Sequence, residues 1–290
     1  MKKIVLMAAC VSAAMTSYAQ TDSTRTQGND TINVGGMIIV KKKGEGSEST
    51  SSSTYTKTWH SSGKSKSGSR LQTSWFTFDF GFNNFVDNTD YTSPEAMDYA
   101  RATRPGEPAF TGSDFNLRTG KSVNTNIWFF RQKFGVTKDR VLQLTYGLML
   151  ELNNYRFDTD LRTSYKKGSD PYVWRDSTSF SKNKLALDYI TVPLMVGFDT
   201  RPGRGGFTMS AGVSIGYLYS SRNKQINNER GKYKIKGNFD IEPWKFQYVG
   251  EIGVGPVMLY ASYSPQTMYE RGLEHLPYNF GIRLADWDKW

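Results

Sequence analysis

The 290-residue chain has one cysteine, Cys10, and only two histidines, His60 and His275. One thiol cannot close a disulfide within the chain, and so few thiols and imidazoles leave no Cys/His zinc set. Long apolar runs are missing too. The longest, Ile4 to Met15, falls short of the ~20 residues a bilayer-crossing helix needs, and mean hydropathy is −0.55, so helical membrane spans are excluded. An apolar share of 38% is low for a large conventional core. Aromatics, in contrast, reach 14%, with 17 Phe, 17 Tyr and 7 Trp, too many for a disordered polymer.

Residues 1–19 read as a signal peptide. Lys2 and Lys3 give a positive start, Ile4 to Met15 an apolar stretch, and Ser17-Tyr18-Ala19 a small-x-small cleavage site before Gln20. Cleavage there removes Cys10; a lipoprotein reading of Cys10 would leave too short an apolar stretch. Residues 20–72 are rich in Ser, Thr, Gly and Lys and carry too little apolar surface to order themselves, which predicts a flexible periplasmic tail. Inside it, Thr31 to Val40 resembles a small hairpin around Gly35 and Gly36.

Residues 73–290 change character. Phe76, Phe78, Phe80 and Phe82 alternate with polar or small residues, as do Leu142 to Leu152, Ile190 to Phe198, Phe207 to Tyr219, Trp244 to Val254, Val257 to Tyr263 and Tyr278 to Leu284. A period of two is the signature of strands, and the less regular Val123 to Val136 makes eight. Connections alternate between long (87–121, 157–183, 222–243, 265–277) and short (Thr137 to Arg140, Thr200 to Gly205, Gly255-Pro256), the asymmetry of outer-membrane barrels. The second face carries Asp79, Asn83, Gln143, Glu151, Lys245, Gln247, Glu251, Asn279 and Arg283, a polar filling rather than an exterior. The expectation is an all-β, eight-stranded antiparallel up-and-down transmembrane β-barrel in the outer membrane, with apolar rows facing lipid. Two places resist: Asn124, Asn126 and Arg131 share no parity with Trp128 to Phe130, which predicts a bulge, and Pro193 withholds a ladder donor mid-strand.

The leader, the eight alternating runs and above all Tyr189-Ile190-Thr191-Val192-Pro193-Leu194-Met195-Val196-Gly197-Phe198 resemble the PorT-like outer-membrane β-barrel proteins of Gram-negative bacteria, over about residues 73 to 287. The resemblance implies the barrel and says little about activity, although one member is associated with secretion. The ending departs from the family: Leu284 is followed by Asp286-Trp287-Asp288-Lys289-Trp290 rather than by a terminal aromatic strand residue.

Closing the barrel sets first and last strands side by side, so Asp79 should meet Arg283, with Glu251 in reach and Glu151 in the same lumen. Such charges serve either as a gate or as a satisfied plug. His275, with Glu270, Glu274 and Ser264 nearby in sequence, is the only catalytic candidate and would suit a lipid-A-modifying enzyme; the competing reading is a solvated loop histidine. Arg222, Lys224, Arg230, Lys232, Lys234 and Lys236 form a stripe on a hairpin turning near Asn228, suited to lipid A phosphates or simply to solubility. Gly120-Lys121-Ser122 lacks the rest of a phosphate loop, and Asp158-Thr159-Asp160 lacks the rest of a calcium loop. Ser93-Pro94-Glu95 with Ala96 to Ala102 predicts a capped short helix. A net charge of +10 would suit nucleic acid, but export argues against it. The expected role is non-enzymatic and monomeric, without cofactor or metal: membrane integrity, surface recognition or a secretion accessory. The partners would be outer-membrane lipid and lipopolysaccharide, the outer-membrane assembly machinery, and a periplasmic partner for the tail. The alternatives are the lipid-A-modifying enzyme and a narrow channel for small solutes.

Overall fold

The computed structural model describes residues 30–34, 37–41, 70–158, 161–200, 206–255 and 257–284. The leader 1–19, most of the expected tail, Thr159 and Asp160, most of the Thr200 to Gly205 turn, Pro256 and the ending with Trp287 lie outside them. The chain divides into Met1–Lys64 and Ser65–Trp290. In the first unit, β1 (Asp30–Val34) and β2 (Met37–Lys41) pair antiparallel from Asp30↔Lys41 to Val34↔Met37, the register set by a two-residue connection.

In the second unit eight strands form a closed ring: β3 (Leu71–Asp87), β4 (Val123–Gly135), β5 (Leu142–Arg156), β8 (Lys182–Asp199), β9 (Phe207–Asn227), β11 (Trp244–Val254), β12 (Val257–Tyr263) and β13 (His275–Leu284). β13 returns to β3 from His275↔Asp87 to Arg283↔Asp79, so the ring has no open edge. Among the described residues three further strands lie in the long connections: β6 (Thr163–Lys166) and β7 (Tyr172–Arg175), which pair with each other and which the sequence does not announce, and β10 (Gly231–Lys236), which flanks β9 as the return arm of the expected hairpin. β3 starts at Leu71, opposite Phe134, two residues inside the expected tail, because ladder hydrogen bonds form equally well along polar Gln72 and Thr73.

The two faces differ in chemistry. Phe78, Phe80, Val196, Phe198, Tyr248, Leu259 and Ile282 are exposed on the outside, whereas Asp79, Asn83, Gln143, Glu151, Gln247, Glu251 and Arg283 are buried inside. The β4–β5 register shifts between Trp128 and Phe130. Asn124, Asn126 and Trp128 are therefore buried before the bulge and Arg131 after it. In β3, Phe76 takes a left-handed φ of 51°, which leaves Trp75 and Phe76 both exposed. At Pro193 the register to β9 runs unbroken, while pairing with β5 lapses between Tyr146↔Leu194 and Met149↔Thr191; the missing N–H falls on the β5 side.

Short connections gather at one end of the ring and the long ones at the other. There the helix α1 (Pro94–Tyr99) begins at Ser93, whose hydroxyl accepts from Ala96 N at 3.2 Å. It is shorter than expected and delivers Tyr99, fully buried, into an aromatic core with Phe110, Phe115, Phe157, Tyr165, Phe239 and Tyr269. Loop residues, together with Tyr155 of β5 and Leu185, Leu187 and Tyr189 of β8, thus build a hydrophobic core at that end of the ring. Among the described residues no helix is long and apolar enough to cross a membrane.

Candidate functional site

The interior is held by two ionic knots. In the first, Arg283 donates from Nη2 to Asp79 Oδ2 at 2.6 Å and from Nη1 to Glu251 Oε1 at 2.6 Å, and a further bond joins its Nε to Asp79. Arg131 donates to the other oxygen of Glu251 at 2.5 Å, and Trp128 Nε1 donates to Asp79 at 2.8 Å. The Arg283 guanidinium lies 4.7 Å from the Trp128 ring centre, so the cation is met by a ring on one face and by carboxylates along its donor edges. In the second knot Lys245 Nζ donates to Glu151 Oε1 at 2.5 Å, joined there by Asn279 at 3.3 Å, while Thr191 donates to Oε2 at 3.2 Å. Glu151 thus sits apart from the Asp79–Arg283–Glu251 group with which the sequence reading had placed it, because Lys245 on β11 reaches it first. Between the knots remains a cavity of about 30 Å³ bordered by Trp128, Met195 and Tyr260 among others, room for a water or two.

Tyr260 crosses the interior and donates to Asn124 Oδ1 at 2.6 Å. It can do so because Gly81 and Gly281 face each other in register beneath it. A Cβ on Gly281 would meet Tyr260 Cε1 at 2.8 Å, and one on Gly81 would meet its hydroxyl at 2.6 Å.

The cap closes the far end. One arginine touches all three other long connections: Arg271 reaches Asp98 at 2.7 Å, Asp170 at 3.0 Å and Asp240 at 2.7 Å. These bonds, that to Asp240 first, raise the Arg271 pKa above its ordinary value, and the bond from Arg101 lowers that of Asp170. His275 is not a solvated loop residue. It opens β13, is 1% exposed, and stacks on Phe85 at 4.1 Å with the Phe115 and Tyr269 rings edge-on at 5.0 and 5.4 Å. The carboxylate beside it is Asp87, at 3.5 Å. Glu274 instead donates its backbone N–H to Thr89, and the Ser264 hydroxyl bonds the carbonyl of Gln266. Asp87 was legible through the same strand closure that pairs Asp79 with Arg283, carried eight residues further. Among the described residues no group of three or more His, Cys, Asp or Glu could hold a metal ion.

The basic stripe is wider than its hairpin. Arg156 of β5, Lys184 of β8, Lys224 of β9 and Lys234 of β10 stand directly opposite one another in four successive strands. Lys236 lies opposite Arg222, and Lys182 and Lys232 flank Ile226. Arg156, Lys182 and Lys184 escaped the sequence reading because only strand register brings them to the grid. Asp188 answers Arg222 at 2.6 Å. Arg230 leaves the stripe: placed in the turn after Asn227, it reaches Asp176 at 2.9 Å. Partial burial, with Lys182, Lys224 and Arg222 close by, brings the Lys184 pKa down to about 8.

Among solved structures the chain resembles Ail, the attachment invasion locus protein of Yersinia pestis, solved in complex with the heparin analogue sucrose octasulfate. The identity is 9%, coverage is 72% of this chain and 96% of that chain, and the TM-score is 0.28. No curated protein matches. The model of the outer membrane protein beta-barrel domain matches residues 72–276, from the start of the ring to the opening of β13. That is well over half of the chain, which therefore belongs to the outer membrane protein beta-barrel domain family and is a protein of the outer membrane.

Proposed function

We propose that the chain is exported by residues 1–19, spans the outer membrane as a monomeric eight-stranded barrel, and serves as a non-catalytic surface protein whose long connections form a rigid recognition platform outside the cell. The observation that carries this is the double closure of the interior, by the two ionic knots and by the aromatic cap, with about 30 Å³ left empty between the knots. A protein built to pass solutes would not fill its axis with paired charges. An enzyme needs its base in contact with substrate, whereas the His275 ring is shut among three aromatics. Within the family, the run Tyr189 to Phe198 favours a PorT-like member, and a role as secretion accessory or in membrane integrity is compatible with the same closed scaffold.

Planar-bilayer recording tests the reading. The purified protein should give no discrete conductance steps in molar salt, and reproducible openings would overturn it in favour of a narrow channel. Incubation with lipopolysaccharide should leave the lipid A mass spectrum unchanged; a new lipid species that vanishes in His275→Ala would establish the enzyme instead.

A further inference from the structure

We infer that the cation grid on the outer faces of β5, β8, β9 and β10 binds the phosphate groups of a phosphorylated glycolipid in the surrounding outer leaflet. Three observations lead there. The grid lies on the same strand faces as the lipid-facing rows: Lys182 and Lys184 follow Ile190 at even spacing along β8, and Arg156 follows Leu150 and Leu152 along β5. The charge is also unbalanced. Like charges directly opposite across strands repel, yet four stand in one row, and the one carboxylate beside them, Asp188, makes its ion pair with Arg222. By contrast, in the cap Arg271 and Arg101 are taken by Asp98, Asp170 and Asp240. A ligand arriving from above meets these paired arginines, while a lipid headgroup arriving from the side meets the row of cations. Finally, the spacing suits phosphate. Neighbouring strands lie about 4.8 Å apart and alternate residues about 6.7 Å apart, so one phosphate can take bonds from two or three cations at once.

The inference rests on the reading that the long connections face outward, and the test separates the two. Binding of bisphosphorylated lipid A to the full chain in detergent micelles should fall roughly tenfold or more in Lys184→Gln/Lys224→Gln/Lys234→Gln. It should persist in the triple Lys→Arg variant and in Lys138→Gln on the opposite rim, and be weak for lipid A stripped of phosphate. Unchanged heat-modifiable mobility on gels shows that each variant folds. Equal binding by the triple Gln variant overturns the inference. So does displacement of lipid A by inorganic polyphosphate at equal phosphate concentration, which would make the face a receptor for soluble polyanions. Orientation is read separately: with Cys10 replaced by Ser, Tyr233→Cys should react with an impermeant maleimide on intact cells, and labelling only after lysis would sink the outward reading itself.

Discussion

Arg283 is the residue on which the interior turns. It is buried, and both Asp79 and Glu251 depend on it. Arg283→Met roughly keeps the volume but leaves Asp79 without a cation and Glu251 with Arg131 alone, the situation in which removing one partner of a buried pair costs about 3–5 kcal/mol. The urea midpoint in detergent should fall accordingly, and Asp79→Asn added to Arg283→Met should recover part of the loss. Gly281→Ala acts by volume: the new methyl would meet the Phe80 carbonyl oxygen and, at 2.5 Å, Gly81 Cα as well as the Tyr260 ring, at a cost of at least about 1–3 kcal/mol, and because the nearest atoms are backbone, Tyr260→Ala in the same chain should recover only a small part of it. Lys184 adds a pH dependence. Its folded pKa of about 8 lies below the ordinary 10.5, so below pH 8 it is charged whether folded or not, and the cost of its partial burial and its repulsion with Lys182, Lys224 and Arg222 are fully present. As pH rises through 8 toward the unfolded value the folded form sheds its proton first. Protection of the outer β8–β9 amides from hydrogen exchange, corrected for intrinsic rates, should therefore increase over that interval, and phosphate binding should weaken.

Among elements, the long connections behave as one body through Arg271. Each exposed pair contributes little by itself because water and salt screen it, but three converge. Arg271→Ala should open the cap to proteolytic nicking in residues 88–121 and 161–181 while the ring keeps its gel mobility. Acid should do the same more gradually: the Asp170 pKa lies below its ordinary 3.8, so its contribution is whole above that value and fades as pH drops through the lower folded one. The eight ring strands were legible because alternation against a polar face leaves few other solutions. The cap was not, since Phe110, Phe115, Phe239 and Tyr269 have no period and meet only once the ring sets their loops side by side. The interior was half legible. Asp79, Arg283 and Glu251 followed from strand closure, whereas Arg131 was hidden by the bulge at Phe129 and the Lys245–Glu151 bond depends on side-chain reach across the axis.

At the scale of the whole molecule the two closures are independent. Trimming the cap by protease should leave the protein electrically silent, as should Arg283→Met alone, and only the trimmed Arg283→Met protein should leak. Recording all four states in one bilayer system checks this; a leak from trimming alone would mean the knots do not seal. The outline of the ring also bears on its host. β12 has seven residues, about 23 Å at full extension before any tilt, whereas spanning strands usually take about 9–11 residues. Hydrocarbon alongside β12 must therefore thin to meet it, so insertion should be quicker and more complete in vesicles of short, lauroyl-length chains than in oleoyl ones, and bilayer thickness becomes a means by which the cell can sort this protein to its thinner membrane.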